Sequence, residues 1–117
     1  MRPTASQTCG LGAALEVIGG KWKPTILWEL HMQPLRFGEL RRRVTGISEK
    51  VLFEHLREME RNGIVRRDVY EGPRLNVSYS LTPIGAELNS AVHTLAEWGS
   101  RYASAPVSRQ TTAEVSP

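Results

Sequence analysis

A chain of 117 residues can bury one hydrophobic core and is too short for two, so it is expected to form one domain. Its 40% apolar and 23% charged residues are typical of a globular protein, and no stretch approaches the ~20 apolar residues of a membrane-spanning helix. The single cysteine and a polar N-terminus without the apolar run of a secretory signal argue against a disulfide-stabilised secreted protein and favour the cytoplasm.

The positive charge is concentrated in one third of the chain. Residues 36–67 contain nine Arg or Lys and five Glu, a net charge of +4, whereas the whole chain carries +3. Such a concentration is the electrostatic footprint expected of a protein that binds a polyanion. Basic residues on short helices are also often simply solvated, so the charge by itself leaves both interpretations open.

The N-terminal part of the chain predicts two short helices. Residues 1–8 are small and polar and are expected to be mobile. Apolar residues recur at helical spacing over residues 11–18, and this first helix is expected to stop at the Gly19-Gly20 pair. Pro24 suits the first turn of a second helix that runs to about His31.

Two more helices follow, and the second of them is strongly two-sided. Residues 37–44 have apolar residues at i, i+3 and i+7, and Gly46 is expected to close that helix. Ser48 is a good N-cap for the fourth helix, which should end at Gly63. At 3.6 residues per turn the fourth helix has one apolar and one charged side. The apolar side carries Leu52, Leu56 and Met59, and the opposite side carries Lys50, Glu54, Arg57 and Arg61.

The period of the sequence changes after the fourth helix. Val65–Tyr70 and Leu75–Leu81 are rich in β-branched and aromatic residues, and the turn cluster at residues 71–74 predicts a hairpin between them. Thr82-Pro83 predicts the capped start of a long final helix, and the polar residues 104–117 predict a disordered tail. The apolar positions of the final helix are Ile84, Leu88, Ala91, Leu95, Trp98 and Tyr102.

This order of elements predicts a mainly α fold with a small β-hairpin, in the α+β class. It is the order of a winged helix-turn-helix over residues 9–103, with an extra helix at each end. A second helix that carries cations after a tight turn is how such domains enter the DNA major groove. Because winged helices also serve as protein-interaction modules, docking of an acidic partner protein is the alternative hypothesis. A third hypothesis is an enzyme that uses the Cys9 thiol.

Four segments in order carry a resemblance to a known family: GGKWKPTILWEL, PLRFGELRRRVTGIS, KVLFEHLREMERNGIV and YSLTPIGAEL. Together they resemble the HxlR family of bacterial winged-helix transcriptional regulators, over most of the chain. The resemblance implies a homodimer whose terminal helices pair and whose two recognition helices meet a palindromic operator on double-stranded DNA, as a repressor or an activator. It implies no cofactor. The residues expected at the dimer interface are Leu11, Leu15, Leu88, Leu95, Trp98 and Tyr102.

The resemblance also implies a set of DNA-contacting residues. Ser48 is expected to cap the recognition helix first and to touch phosphate second. Glu49 replaces what is often an amide in the family, and a carboxylate can accept a hydrogen bond from a cytosine amino group but repels phosphate. Relatives often carry an arginine where this chain has Asn76, which leaves open whether Arg74 reaches the minor groove. The complete expected set is Arg36, Ser48, Glu49, Lys50, Glu54, Arg57, Arg61, Arg74 and Asn76.

Cys9 has two interpretations. Its spacing from Gly20 is shared with family members that sense quinones, aldehydes or oxidants, and it precedes an expected helix start, where a thiol pKa can be lowered. A small electrophile or oxidant would then be the effector. A lone cysteine also often behaves as a small buried hydrophobe.

Other potential sites lack support in the sequence. The histidines at 31, 55 and 93 fall on three different helices without Cys or carboxylate at ligand spacing, which argues against a metal site. No nucleophile has an orienting partner, so no catalytic residue is expected. Trp22, Trp28 and Trp98 are interpreted as core or dimer-interface residues.

Overall fold

A computed structural model of the chain describes residues 10–74 and 76–105, and five helices and three strands lie within them. In chain order these are α1 (Gly10–Ile18), α2 (Lys23–Leu30), β1 (Leu35–Arg36), α3 (Phe37–Arg43), α4 (Glu49–Arg61), β2 (Val65–Tyr70), β3 (Asn76–Leu81) and α5 (Pro83–Ala103). The predicted winged helix-turn-helix is confirmed. Among the helices of the described ranges, none combines the length and the apolar character that a membrane span requires.

The sheet has one strand more than the sequence predicts. β2 and β3 form the predicted antiparallel hairpin, with Val65 opposite Leu81. The third strand, β1, pairs antiparallel with the other edge of β3 and places Leu35 opposite Tyr79, so the order is β1-β3-β2. Sequence analysis missed β1 because two residues are too few for alternation to be visible. Its strand conformation depends on the pairing with β3.

Side-chain caps begin the two longest helices where they were predicted. The hydroxyl of Ser48 accepts a hydrogen bond from the backbone N–H of Val51 at 3.1 Å, and that of Thr82 accepts one from Gly85 at 3.1 Å. Each satisfies a donor that the first turn of a helix leaves free. Gly63, which follows α4, has a φ of 76°, a left-handed conformation that favours glycine over other residues. The start and the end of α4 are therefore determined by residues close to each end in the sequence.

The hydrophobic core belongs to the middle of the chain rather than to its last helix. Nine large side chains from α2, β1, α3, α4 and β2, and from the segment after α3, are fully buried: Ile26, Leu27, Leu35, Leu40, Val44, Leu52, Leu56, Met59 and Val65. From α5 only Val92 joins the buried apolar cluster. Most of the apolar surface of α5 is therefore left uncovered within one protomer.

Candidate DNA-binding surface

α4 presents its charged side to solvent. Its apolar residues Leu52, Leu56 and Met59 are fully buried, as their spacing predicted. The burial of these three side chains against the core fixes the rotation of the helix about its axis. The exposed residues of the opposite side are Lys50, Phe53, Glu54, Arg57 and Arg61.

Two exposed acidic residues in the first two turns of α4 are each paired with a cation. Lys50 Nζ lies 3.4 Å from Glu54 Oε2, and Arg41 Nη1 of α3 lies 3.5 Å from Glu49 Oε2. Both pairs are exposed, so they add little to stability. They do neutralise the carboxylates that would otherwise repel a polyanion.

Three arginines line one flank of α4. Arg57 and Arg61 of α4 and Arg67 of β2 surround, with Phe53 and Glu60, an open hollow of about 560 Å³. None of these three arginines makes an ion pair within the described residues. Arg67 was absent from the expected site. Alternation along β2 did not show which arginine, Arg66 or Arg67, lines the hollow beside α4.

The other flank of α4 is cationic as well. Arg41 and Arg42 of α3 lie beside a second open hollow of about 430 Å³, whose lining includes Ile47 and Glu49. Arg36 is exposed at the N-cap of α3, where its backbone N–H donates to Glu39 Oε1 at 2.9 Å. Cations thus border α4 on both sides.

The tip of the hairpin carries the other two predicted residues. Arg74 is exposed, and Asn76, half-buried, opens β3 opposite Tyr70. Both residues line a small hollow at the turn, of about 370 Å³. They belong to the wing and not to the exposed side of α4. Contact of any of the nine expected residues with DNA stays a prediction.

A buried lysine that sequence analysis did not single out ties α4 to α2. Lys23 is only 5% exposed, and its Nζ lies 2.6 Å from Glu58 Oε1 on α4. The hydrogen bond from Lys23, and then its charge, lower the pKa of the Glu58 carboxyl below its ordinary value of 4.5. The Lys–Trp–Lys pattern gave no sign that the second lysine would point inward. Its pairing with Glu58 makes it a positioning residue for α4.

An uncovered apolar stripe runs along α5. Ile84, Leu95, Trp98 and Tyr102 are all exposed, with Leu95 58% and Trp98 54% exposed, and the Trp98 and Tyr102 rings stack with centroids 5.2 Å apart. Leu88 differs, because it is half-buried and packs against the core cluster. On α1, Leu11 and Leu15 are also exposed. The stripe and these two leucines form the proposed dimer interface, and are called the dimerisation surface below.

Two histidines that looked unrelated in the sequence lie together in the fold. The imidazole of His93 stacks on Trp28 with centroids 4.3 Å apart, and His31 meets His93 edge-on at 5.6 Å. Their positions far apart in the sequence therefore gave no sign that the two rings are in contact. Within the described ranges no group of three or more His, Cys, Asp or Glu residues could hold a metal ion. Cys9, the predicted mobile residues 1–8 and residues 106–117 of the predicted disordered tail lie outside the described residues.

The chain matches a family of known regulators. The family described as HxlR-like helix-turn-helix matches residues 17–106. The HTH-type transcriptional regulator YkvN of Bacillus subtilis (strain 168) is 41% identical over 96 residues, which are 82% of this chain and 81% of YkvN. YdeP of the same organism, also an HTH-type regulator, is 37% identical over 94 residues, or 80% of this chain and 73% of YdeP.

Solved structures of similar proteins include transcriptional and redox regulators. The reduced form of the redox regulator HypR has a TM-score of 0.79 at 37% identity, with 85% of this chain and 98% of HypR covered. A transcriptional regulator of the MarR family from Enterococcus faecalis V583 has a TM-score of 0.76 at 36% identity, with 97% of each chain covered. Diamide-treated YodB from B. subtilis has a TM-score of 0.70 at 31% identity, covering 80% of this chain and 93% of YodB. The chain belongs to the HxlR family and is a transcriptional regulator of the helix-turn-helix type.

Proposed function

We propose that this protein binds a palindromic operator as a homodimer, with α4 as the recognition helix in the major groove. The observation that carries the proposal is the charged side of α4, which is exposed, bordered by cations on both flanks and held in place by a fully buried opposite side. A helix so placed after a turn is the reading element of a helix-turn-helix domain. Lys50, Glu54 and Arg57 then face the base edges.

The flanking cations suit the phosphate backbone. Arg41 and Arg42 of α3 lie on one side of α4, and Arg61 of α4 lies with Arg67 of β2 on the other. Contacts to phosphate set the register of a protein on the duplex, whereas contacts to base edges give the sequence preference. Ser48 caps α4 through its hydroxyl, so its backbone N–H is the group we assign to phosphate.

The dimerisation surface supports the proposed homodimer. Its exposed leucines and stacked aromatic rings form a stripe that a single core of this size does not cover. Large exposed apolar patches mark interaction sites, and two-fold dimers are the commonest oligomers. A two-fold axis through the dimerisation surface would place one copy of α4 on each half of a palindrome. The two recognition helices would then lie about 34 Å apart.

We further propose that Cys9 makes the regulator responsive to oxidants or electrophiles. Support comes from the structural similarity to HypR, a redox regulator, and to YodB, whose structure was obtained after diamide treatment. With one cysteine per chain, the reversible oxidised products are a disulfide between the two protomers or a mixed disulfide with a small thiol. Electrophiles such as quinones would instead form an adduct.

DNA binding of the parent should change after diamide or quinone treatment, whereas Cys9→Ser should bind equally well before and after. An unchanged parent would show that the thiol has only a packing role.

Salt dependence separates DNA binding from the alternative of protein docking. A duplex selected from a randomised library by the full-length protein is titrated at several salt concentrations. We expect a steep linear fall of log affinity with log salt, because phosphate contacts release condensed counterions. Failure to enrich any sequence, together with a shallow salt slope, would favour the protein-interaction module.

The variant Arg57→Ala tests whether the exposed charged side of α4 contacts DNA. The control is Arg101→Ala, on α5. If Arg57 makes a bidentate base contact, its loss should weaken operator binding by roughly 1–3 kcal/mol and relax the preference at one position. If it contacts phosphate, the loss should be uniform across sequences and the salt slope should fall by about one. Arg101→Ala should change neither quantity. Equal affinities for Arg57→Ala, Lys50→Ala and the parent would contradict the proposed face.

A further inference from the structure

Phe53 is an apolar residue on the charged side of α4, and the fold leaves nearly half of it exposed. It is 46% exposed, whereas Leu52, Leu56 and Met59 of the same helix are fully buried. It was not among the residues expected at the DNA. In the helix it lies about 40° from Arg57 around the axis and within the first two turns.

The surroundings of Phe53 are cationic. The guanidinium of Arg57 lies over its ring, 5.6 Å from the centroid, within the range of a cation–π contact. The adjoining hollow is also lined by Arg61 and Arg67, and Glu60 is the acidic residue of its lining. Whatever covers the Phe53 ring must therefore also accept three positive charges that make no ion pair within the described part of the chain.

This charge excludes a second copy of the chain as the occupant. A two-fold contact through this surface would bring six arginines together, and burying unpaired charges in an interface is strongly unfavourable. Duplex DNA meets both demands. Its phosphates accept the arginines, and its major groove carries one apolar group on the base edges, the 5-methyl group of thymine.

We propose that Phe53 reads a thymine in each half of the operator by packing its ring against the 5-methyl group. The inference rests on the proposed DNA binding through α4 and adds a specificity-determining residue to it. The neighbouring Arg57 guanidinium, held over the ring, is kept close to the same base pairs. Phe53 thus contributes sequence preference, whereas the arginines at the flanks contribute affinity.

The test removes the methyl group and the ring separately. In the selected duplex, each thymine is replaced in turn by deoxyuridine, which lacks only the methyl group, and affinity for the full-length protein is measured. One position per half-site should lose about fourfold, the value expected for one buried carbon. For Phe53→Ser the same replacement should leave affinity unchanged, while Phe53→Leu, which keeps an apolar side chain but no ring, should retain part of the effect.

A matched DNA pair gives a second reading. At the same position, cytosine and 5-methylcytosine differ by the same methyl group on the other pyrimidine. The parent should prefer the methylated duplex by a similar factor, and Phe53→Ser should not distinguish the two. Because Phe53 lies outside the buried core, its variants should remain folded at the assay temperature, which thermal unfolding checks, so that a folding defect does not imitate the result.

The outcomes separate this inference from the function on which it rests. An operator bound steeply with salt, but with no thymine sensitive to methyl removal, would overturn the role of Phe53 and leave DNA binding intact. Equal methyl sensitivity in the parent and in Phe53→Ser would do the same. Absence of any selected sequence would instead count against the proposed function itself.

Discussion

At the residue scale, Lys23 and Glu58 show how a charge inside the fold can orient the proposed recognition helix. Lys23 is almost fully buried, while Glu58, its partner at 2.6 Å, keeps 47% of its side chain exposed. The pair is therefore asymmetric. Water can replace Lys23 around Glu58, but it cannot readily replace Glu58 around Lys23.

Substitutions at the two ends of this pair should accordingly have unequal effects. Glu58→Gln leaves a buried ammonium without its carboxylate, and should lower the free energy of unfolding by about 2 kcal/mol, less than a fully buried pair would lose. Lys23→Met removes the buried charge and leaves a carboxylate that water can solvate, so its effect should stay within about 1 kcal/mol. Urea unfolding at neutral pH measures both. A larger loss for Lys23→Met than for Glu58→Gln would contradict the asymmetry.

The same pair predicts a pH dependence of stability. The pKa of Glu58 is lowered in the folded state, first by the hydrogen bond from Lys23 and then by its charge. A carboxyl with a lowered folded pKa stabilises the fold above its unfolded pKa, and this contribution is lost as the pH falls through the folded pKa. Between neutral pH and pH values below 4.5, the parent should therefore lose more stability than Glu58→Gln. Parallel curves for the two proteins would show that Glu58 makes no such contribution.

At the scale of elements, the junction between α4, β2 and α5 depends on a close approach of two backbones. The backbone N–H of Thr82 donates to Ile64 O at 3.0 Å, and its hydroxyl donates to Gly63 O at 2.6 Å or to Ile64 O at 3.1 Å. A β-carbon added at Gly85, in the first turn of α5, would lie 2.1 Å from Ile64 O. Glycine at this position lets α5 begin directly against the segment that follows α4.

Two glycines of α5 make a matched test of this contact. Gly85→Ala should lower the free energy of unfolding by roughly 1–3 kcal/mol or more, because backbone must move to admit the methyl group. Gly99→Ala, where an added β-carbon meets nothing within 4 Å in the protomer, should raise it by up to about 1 kcal/mol through helix propensity. Thermal unfolding at one protein concentration compares them. If Gly85→Ala stabilised the protein as much as Gly99→Ala, the junction would be able to admit a methyl group without cost.

At the scale of the whole molecule, α5 is the element whose apolar face has no cover within the protomer. Leu95 faces outward on the dimerisation surface, whereas Ser90 lies on the opposite side of the same helix and is also exposed. This contrast provides a control for the proposed homodimer.

Leu95→Glu should convert the dimer into monomers, because each copy would bury a carboxylate in an apolar interface. Ser90→Glu adds the same charge to a face that the proposed dimer leaves in water, and should not change the association state. Sedimentation at micromolar concentration distinguishes the two states. A parent that sediments as a monomer, or a Leu95→Glu variant that remains dimeric, would contradict the proposed interface. Loss of the dimer should also lower operator affinity, since each half-site would be bound alone.

The amino-acid sequence by itself determined the elements whose signals are local. Helical spacing and the caps at Ser48 and Thr82 predicted α4 and α5, and the turn cluster after β2 predicted the hairpin. The rotation of α4 also followed from sequence, because three apolar residues on one side leave a helix little choice of which side to bury. These predictions succeeded because hydrogen bonds and packing within a few residues decide them.

Contacts between distant residues were decided only by the tertiary structure. β1 exists because β3 pairs with it, and Lys23 of α2 is buried where it meets Glu58 of α4. His31 and His93 likewise meet through the packing of α2 against α5. No local pattern encodes such pairs, since each depends on two segments far apart in sequence that come together only when the core is formed. Lys23, which positions the proposed recognition helix, is a residue of this second kind.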